Sequence, residues 1–319
     1  MKNIFKSIAV ILFIMSVSYS FTSCGPAQKK EASDTPTSGV IKISADESFE
    51  PIIQQEIDVF ESLYPKAGIV PEYVSEVDAI TLLIRDSVRL AVTTRVLTQQ
   101  EEETLHAKKL YPKTEKIAID GIALIVNKEN TDTLITVNDI EKILTGKITQ
   151  WKQLYPKSKL GEIQMVFDNA NSSTIRYAID SICKGQKLSD KLRAQKNNND
   201  VIDYVAQVPN AIGVIGASWI GNRSDTTRLS FSERINVMAV SSDDFANNAN
   251  SYKPYQAYLA MGLYPFTRNV YIISTDPKTG LPSGFTKFVS TDRGQKIILK
   301  SGMVPATQVI RIVNVRDNL

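Results

Sequence analysis

Hydroxyl residues recur where short apolar runs give way to amphipathic ones: Ser48, Ser75, the pair Thr93-Thr94 and the triplet Ser172-Ser173-Thr174. Each marks a strand-to-helix junction. The first turn of a helix leaves backbone N–H groups unpaired and carries the positive end of the macrodipole, and a hydroxyl adds a donor, so such a junction can hold an anion. Any one of these residues is equally explained as an N-cap. The triplet, and the pair followed by Arg95, exceed what capping needs. Arg95 offers a permanent planar charge suited to bidentate oxyanion binding, with a solvated surface arginine as the alternative. The chemistry expected is capture of a small oxyanion, not catalysis. No nucleophile–base pair stands out, and His106, the single histidine, follows Glu101-Glu102-Glu103 and reads as a surface residue. Nothing resembles HExxH, CxxC or a His/Cys cluster, so no metal or other cofactor is expected.

Alternating elements must position these junctions. Val40–Ile43 reads as a strand, followed by a helix over 48–63 with Phe49, Ile52, Ile53, Ile57, Phe60 and Leu63 on one face, Ser48 as its N-cap and Pro51 in its first turn. A strand over 69–74 leads to a helix from Ser75, and a strand over 90–92 leads to a capping box of Thr98 and Glu101. Residues 117–127 form a long strand, and a helix starting at Thr136 stops at Gly146. Further strands are expected over 163–167, 211–214 and 264–274, and helices over 175–182, 200–208 and, in two pieces, 283–298. The class is α/β. If the strands are parallel, their carboxyl ends face one crevice, where ligands of open α/β sheets bind.

The ends carry other information. Lys2 and Lys6 precede the apolar run 8–15, the order of a secretory signal, and the run is short for a membrane span. Small residues then lead to Cys24, as in the lipobox of bacterial lipoproteins, so 1–23 is expected to be removed and Cys24 acylated. Residues 24–38 are polar and aperiodic and read as a tether. Cleavage leaves about 300 residues, more than one core usually serves, so two domains are expected. A net charge of +3, without a basic stripe, argues against nucleic acid. With Cys24 acylated, Cys183 has no disulfide partner.

The segments LITVNDIEKILTGKITQWKQL (134–154), VIDYVAQVPNAIGVIG (201–216), YPFTRNVYI (264–272) and SGMVPA (301–306) resemble, in order, the phosphate-binding component of the phosphate ABC transporter. The resemblance runs from about Val40 to Ala306. It implies a two-lobed type II periplasmic-binding-protein fold with two crossover strands, lobe I being 39–126 and 266–319 and lobe II 127–265. It also implies a monomer that captures inorganic phosphate outside the cytoplasm, held to a membrane through Cys24 and delivering to permease subunits. By position, Ser48-Phe49 resembles the family's first phosphate loop, Ser75 falls near a second, and Ser172-Ser173-Thr174 resembles its Ser-Gly-Thr turn, with Ser173 in the glycine's place. Asp168 stands where the family often has an arginine. Thr94-Arg95 stands where many members have the aspartate that accepts the phosphate proton, a turn that reads Ser-Ser-Arg in a subset.

Arg95 is accordingly expected to supply the site's main positive charge. Glu76 is expected to replace the missing acceptor, with Asp46 in reserve. Other oxyanions (sulfate, molybdate, an organic phosphate), an exported phosphatase-like enzyme and a sensory lipoprotein stay open as alternatives.

Overall fold

The computed structural model describes residues 34–221 and 230–308. The expected signal segment, Cys24, residues 24–33 of the tether and residues 309–319 of lobe I lie outside them.

The first half of the chain is built as expected, with longer strands. Strand β1 (Gly39–Asp46) pairs in parallel with β2 (Ala67–Val74) and β3 (Leu90–Thr93). Helices α1 (Glu50–Leu63), α2 (Glu76–Ile84) and α3 (Gln99–Ala107) follow those three strands. Strand β4 (Lys113–Asn127) is shared between halves: residues 113–121 pair with β11 (Thr267–Ser274), whereas 122–127 pair with β8 (Ala211–Gly216) and β9 (Ile235–Val237). Beside this switch the Ile122 N–H donates to the Phe266 carbonyl, so two adjacent strand segments cross between the halves.

The second half adds β5 (Leu134–Thr136), α4 (Val137–Leu144), α5 (Trp151–Leu154) and β6 (Gln164–Phe167). Next come α6 (Ser173–Tyr177), which runs on into a π-helical turn over 178–182, β7 (Arg193–Ala194) and α7 (Asn198–Gln207). Strand β10 (Ala239–Ser241) pairs with β5, and α8 (Gln256–Ala260) precedes the return crossing. The chain then re-enters the first half with α9 (Leu281–Ser290), α10 (Asp292–Lys300) and β12 (Val304–Pro305). Gly146 ends α4 as expected, at φ 77°, with its N–H donating to the Ile143 carbonyl, a backbone that glycine adopts without a Cβ penalty.

Strand alternation gives each half a core on both faces of its sheet. Leu90 and Val92 pack with Ile43, Phe60 and Phe285, while Ala91 faces Ile80, Leu83 and Leu105. Leu124 and Val126 pack with Ile140 and Trp151, while Ala123 and Ile125 face Val201 and Val205. Four apolar clusters thus flank one sheet that changes partners along β4.

Two expectations about the amino-terminal part change. Ser48 does not cap the first helix: it lies inside a short 3-10 turn, Glu47–Phe49, which Asp46 caps by accepting from the Ser48 N–H at 2.9 Å. And residues 34–38, expected at the end of the tether, are attached. The Leu281 N–H at the start of α9 donates to Asp34 Oδ1 at 2.9 Å, and Thr35 and Ser38 share a hydroxyl hydrogen bond.

On α1, Glu56 is fully buried, neither carboxyl oxygen has a hydrogen-bond partner among the described residues, and burial pushes it up to about 9. A carboxyl whose folded value is raised contributes stability that is complete below its unfolded value of 4.5 and is lost as pH rises through about 9. Thermal unfolding should therefore show a midpoint that falls from pH 5 to pH 9, by up to ~1.4 kcal/mol of stability per pH unit. Glu56→Gln should flatten that dependence. An unchanged slope in the variant would show that Glu56 is charged or solvated in the folded protein.

Candidate functional site

The crossing segments place two opposite charges face to face. Arg268 on β11 is the direct cross-strand neighbour of Asp120 on β4, and both are buried. Arg268 Nε donates to Asp120 Oδ2 at 2.9 Å, and Nη2 stands 2.9 Å from the same oxygen. Burial alone would push Asp120 up, and the Arg268 charge opposes that rise. Gly216 at the end of β8 makes room for the pair: a Cβ there would lie 3.4 Å from Arg268 Nη2 and 3.8 Å from Asp120 Oδ2.

From this anchor the guanidinium reaches both halves. Its carbon lies 5.0 Å from the centre of the Phe49 ring, a cation–π contact with the 3-10 turn of the first half. Its Nη1 donates to Ser173 Oγ at 2.6 Å, at the start of α6 in the second half. The Ser173 hydroxyl in turn directs its own proton toward Asp46, whose carboxyl it helps to lower.

The hydroxyl triplet divides its labour. Ser172 caps α6, accepting from the Ile175 N–H at 3.3 Å. Thr174 Oγ1 donates to Asp168 Oδ1 at 2.5 Å, so in the 2.7 Å contact between Ser172 and Thr174 it is Ser172 that donates. Asp168 thus fixes the turn that presents Ser173.

Ser48, freed from capping, is the clearest candidate donor. It is fully buried, and its Oγ has no hydrogen-bond partner among the described residues. Asp46 Oδ2 and Asp120 Oδ1 likewise have no hydrogen-bond partner among the described residues, and Arg268 Nη2, though ion-paired with Asp120 Oδ2 at 2.9 Å, makes no aligned hydrogen bond. Leaving buried polar atoms unpaired costs about 1–3 kcal/mol each, so a cluster of them around one guanidinium is expensive unless a polar ligand completes it. Burial pushes the Asp46 carboxyl up to about 6; the Arg268 charge offsets part of that rise and the Glu76 charge adds to it.

The other expected residues sit beside this centre. Ser75 caps α2: its Oγ accepts from the Asp78 N–H at 3.2 Å and donates to Asp78 Oδ2 at 2.6 Å, so the ordinary capping role accounts for it. Glu76 is buried but fully engaged. Its Oε1 accepts from the Thr94 N–H at 2.7 Å and Thr94 Oγ1 at 2.6 Å, and its Oε2 accepts from Arg176 Nε at 2.5 Å. Burial would raise Glu76, but the Arg176 and Thr94 hydrogen bonds outweigh it and hold the carboxyl below its ordinary value. Thr94 and Arg176 thus engage both oxygens of Glu76, whereas Asp46 Oδ2 has no hydrogen-bond partner among the described residues, so Asp46 is the less engaged of the two carboxyls.

Arg95 is also engaged. Its two terminal nitrogens donate to the two oxygens of Glu101, each at 2.7 Å, and Nη1 also donates to the Val96 carbonyl. Arg95 is thus paired with the capping-box glutamate of α3, whereas Arg268 is the buried cation beside Asp120, Phe49 and Ser173.

Sequence reasoning passed over Arg268, Asp120 and Arg176. The first two carried a signal: Phe266, Arg268, Val270 and Ile272 share the buried parity of a strand, so a charge falls at an inward position. Among the described residues there is no cluster able to hold a metal, and no helix is long and apolar enough to cross a membrane. The arrangement provides a buried cation, two hydroxyls and a half-paired carboxyl converging from two halves, which suits an oxyanion that carries a proton.

Comparison with known proteins agrees with this architecture. Residues 30–293 match the PBP superfamily domain. The phosphate-binding protein PstS of Bacillus subtilis is 24% identical over 317 residues, 95% of this chain and 96% of that protein. Its namesake in Borreliella burgdorferi is 22% identical over 306 residues, 94% and 98% of the two chains. Among solved structures, a phosphate ABC transporter substrate-binding protein from Clostridium perfringens, with bound phosphate, superposes with a TM-score of 0.71 at 22% identity over 84% of this chain and all of that one. An ABC-type phosphate transport receptor from Vibrio cholerae gives 0.63 at 21% identity over the same shares. The fold is the two-lobed type II periplasmic-binding-protein architecture expected from the sequence.

Proposed function

Since the chain belongs to the PBP superfamily, we propose that it is an extracytoplasmic solute-binding protein that captures inorganic phosphate for an ABC importer. The carrying observation is the buried cluster of Ser48 Oγ, Asp46 Oδ2 and Arg268 Nη2, whose polar atoms, none of them in an aligned hydrogen bond, converge beside Ser173. Ser48, Ser173 and Arg268 donate to the anion, Phe49 backs the guanidinium, and Asp46 accepts the proton of hydrogen phosphate. Ser172, Thr174 and Asp168 hold the α6 turn, and Ser75, Glu76 and Thr94 shape the neighbouring wall. Relatives named as phosphate-binding proteins support the ligand, and structural neighbours described as phosphate ABC transporter components support the importer as partner. Binding of this kind breaks no covalent bond, and the chain is not an enzyme.

The lobes of this clamp are 39–126 with 266–319, and 127–265. A two-part division with one crossing in β4 is supported by the switch from β11 to β8, although that switch falls at Gly121–Ile122, five residues ahead of this boundary. Cys24 carries the lipid that holds the monomer to a membrane, and the attachment of Asp34 to α9 leaves about ten residues of tether between lipid and lobe. Mass spectrometry of the native protein should find Cys24 diacylated and amino-terminal; an unmodified Cys24 would remove the anchor. Equilibrium dialysis with labelled phosphate tests the ligand. Phosphate should bind, and sulfate, molybdate and phosphate monoesters should compete weakly. Competition by sulfate at equal concentration would favour a general oxyanion binder.

A further inference from the structure

A second charge pair, half-buried because the Arg176 side chain is 30% exposed, joins the two halves. Arg176 lies on α6, the helix whose first turn presents Ser173. Its Nε donates to Glu76 Oε2 at 2.5 Å and its Nη2 to Thr94 Oγ1 at 2.6 Å, both in the first half. Glu76 is 1% exposed and Thr94 7% exposed. The third nitrogen, Nη1, stands 3.5 Å from Asp180, one turn on along its own helical stretch. We propose that Arg176 is a positioning residue which, without touching the anion, latches the two lobes shut and sets how long phosphate stays bound; this rests on the clamp reading above.

Three observations carry it. The contact spans a hundred residues of sequence and ties α6 to the first turn of α2 and to the end of β3, so it exists only when the lobes are together. The fork is shared between a carboxylate and a hydroxyl, a geometry that guanidinium satisfies and ammonium does not. And Glu76, 1% exposed where the halves meet, is held below its ordinary value against the push of burial by the Arg176 hydrogen bond and charge, a contact that separation would remove. Two further contacts close the same seam without a formal charge pair: Trp219 Nε1 donates to the Ser48 carbonyl at 2.9 Å, and the Asn198 N–H and side-chain amide donate to Glu47.

The latch predicts an effect on release. Truncating one partner of a hydrogen-bonded charge pair acts chiefly on the dissociation rate, and the partly exposed arginine moderates the loss. Stopped-flow displacement should show phosphate leaving Arg176→Gln about tenfold faster than wild type, with association within about twofold. Arg176→Lys should recover little of the loss. Glu76→Gln should speed release similarly, and the double variant should be no worse than the weaker single, because both substitutions break one contact. Energy transfer between dyes placed at Lys109 and Lys187, one in each half, reads closure whether or not phosphate is the ligand. Arg176→Gln should show a larger open fraction than wild type, with and without 1 mM phosphate. If wild type fails to bind phosphate, the ligand assignment falls while the dye distances still judge the latch. Identical distance distributions in variant and wild type would overturn it, as would single-variant effects that multiply in the double variant.

Discussion

Arg268→Ala is expected to abolish phosphate binding at micromolar concentrations. Arg268 is 5% exposed, pairs with Asp120, rests on Phe49 and donates to Ser173, so its loss removes a buried charge that contacts both halves. Removing one member of a buried ion pair costs ~3–5 kcal/mol, and that cost falls on both affinity and stability. In affinity it corresponds to about two to four decades. Arg268→Lys separates the two effects. It keeps a cation opposite Asp120 but cannot serve Asp120, Ser173 and an anion at once, and should lose about one to two decades while unfolding near the wild-type temperature. Arg95→Ala is the control. Its ion pair with Glu101 is partly exposed and worth ~0.2–1 kcal/mol of stability, and phosphate affinity should be unchanged. If Arg95→Ala loses phosphate and Arg268→Lys keeps it, the roles assigned to the two arginines are reversed.

Asp46→Asn is expected to convert a selective site into a permissive one. Hydrogen phosphate keeps a proton near neutral pH and sulfate has none, so a carboxylate aimed at the ligand accepts from the first and repels the second. Asp46 Oδ2 is buried with no hydrogen-bond partner among the described residues, while Oδ1 is held by the Ser48 N–H. The amide donates to either anion through its NH2 group. Phosphate should weaken by about one to two decades and sulfate should strengthen, a charged hydrogen bond being worth ~1.5–3 kcal/mol. The wild-type protein should show the same change with acid. With its value raised to about 6, Asp46 is ionised at pH 8 and takes up a proton as pH falls through 6, turning acceptor into donor. Competition titrations at pH 8 and pH 5 should therefore show the preference for phosphate over sulfate narrowing in wild type and staying narrow in Asp46→Asn. Equal discrimination at both pH values in wild type would remove Asp46 from the proton contact.

Periodicity made most of the elements legible. The buried face Ile52, Ile53, Ile57 and Phe60 of α1, the break at Thr291 between α9 and α10 and the stop at Gly146 follow from local pattern and turn chemistry. The path of the crossing segments followed from the resemblance of 264–272 to a known family. The division of roles within the site was harder to read, because several residues could serve each role and tertiary contacts decide among them. Asp46, not Ser48, caps the first turn, which leaves Ser48 Oγ without a hydrogen-bond partner among the described residues, and Arg95 is paired with Glu101, itself a capping residue. Glu76 is paired with an arginine a hundred residues away. Arg268 could have been found from sequence as a charge at an inward position of an alternating strand, and Asp120 as a charge inside the long apolar run 117–127. Their pairing needed the antiparallel register between β4 and β11.

The most direct measurement is a crystal structure of the protein grown with phosphate. The anion should lie within hydrogen-bond reach of Ser48 Oγ, Ser173 Oγ and Arg268 Nη2, with one of its oxygens against Asp46 Oδ2 and with Arg95 still paired to Glu101. Phosphate found instead beside Arg95, or bound to one half alone with Arg268 untouched, would contradict the account.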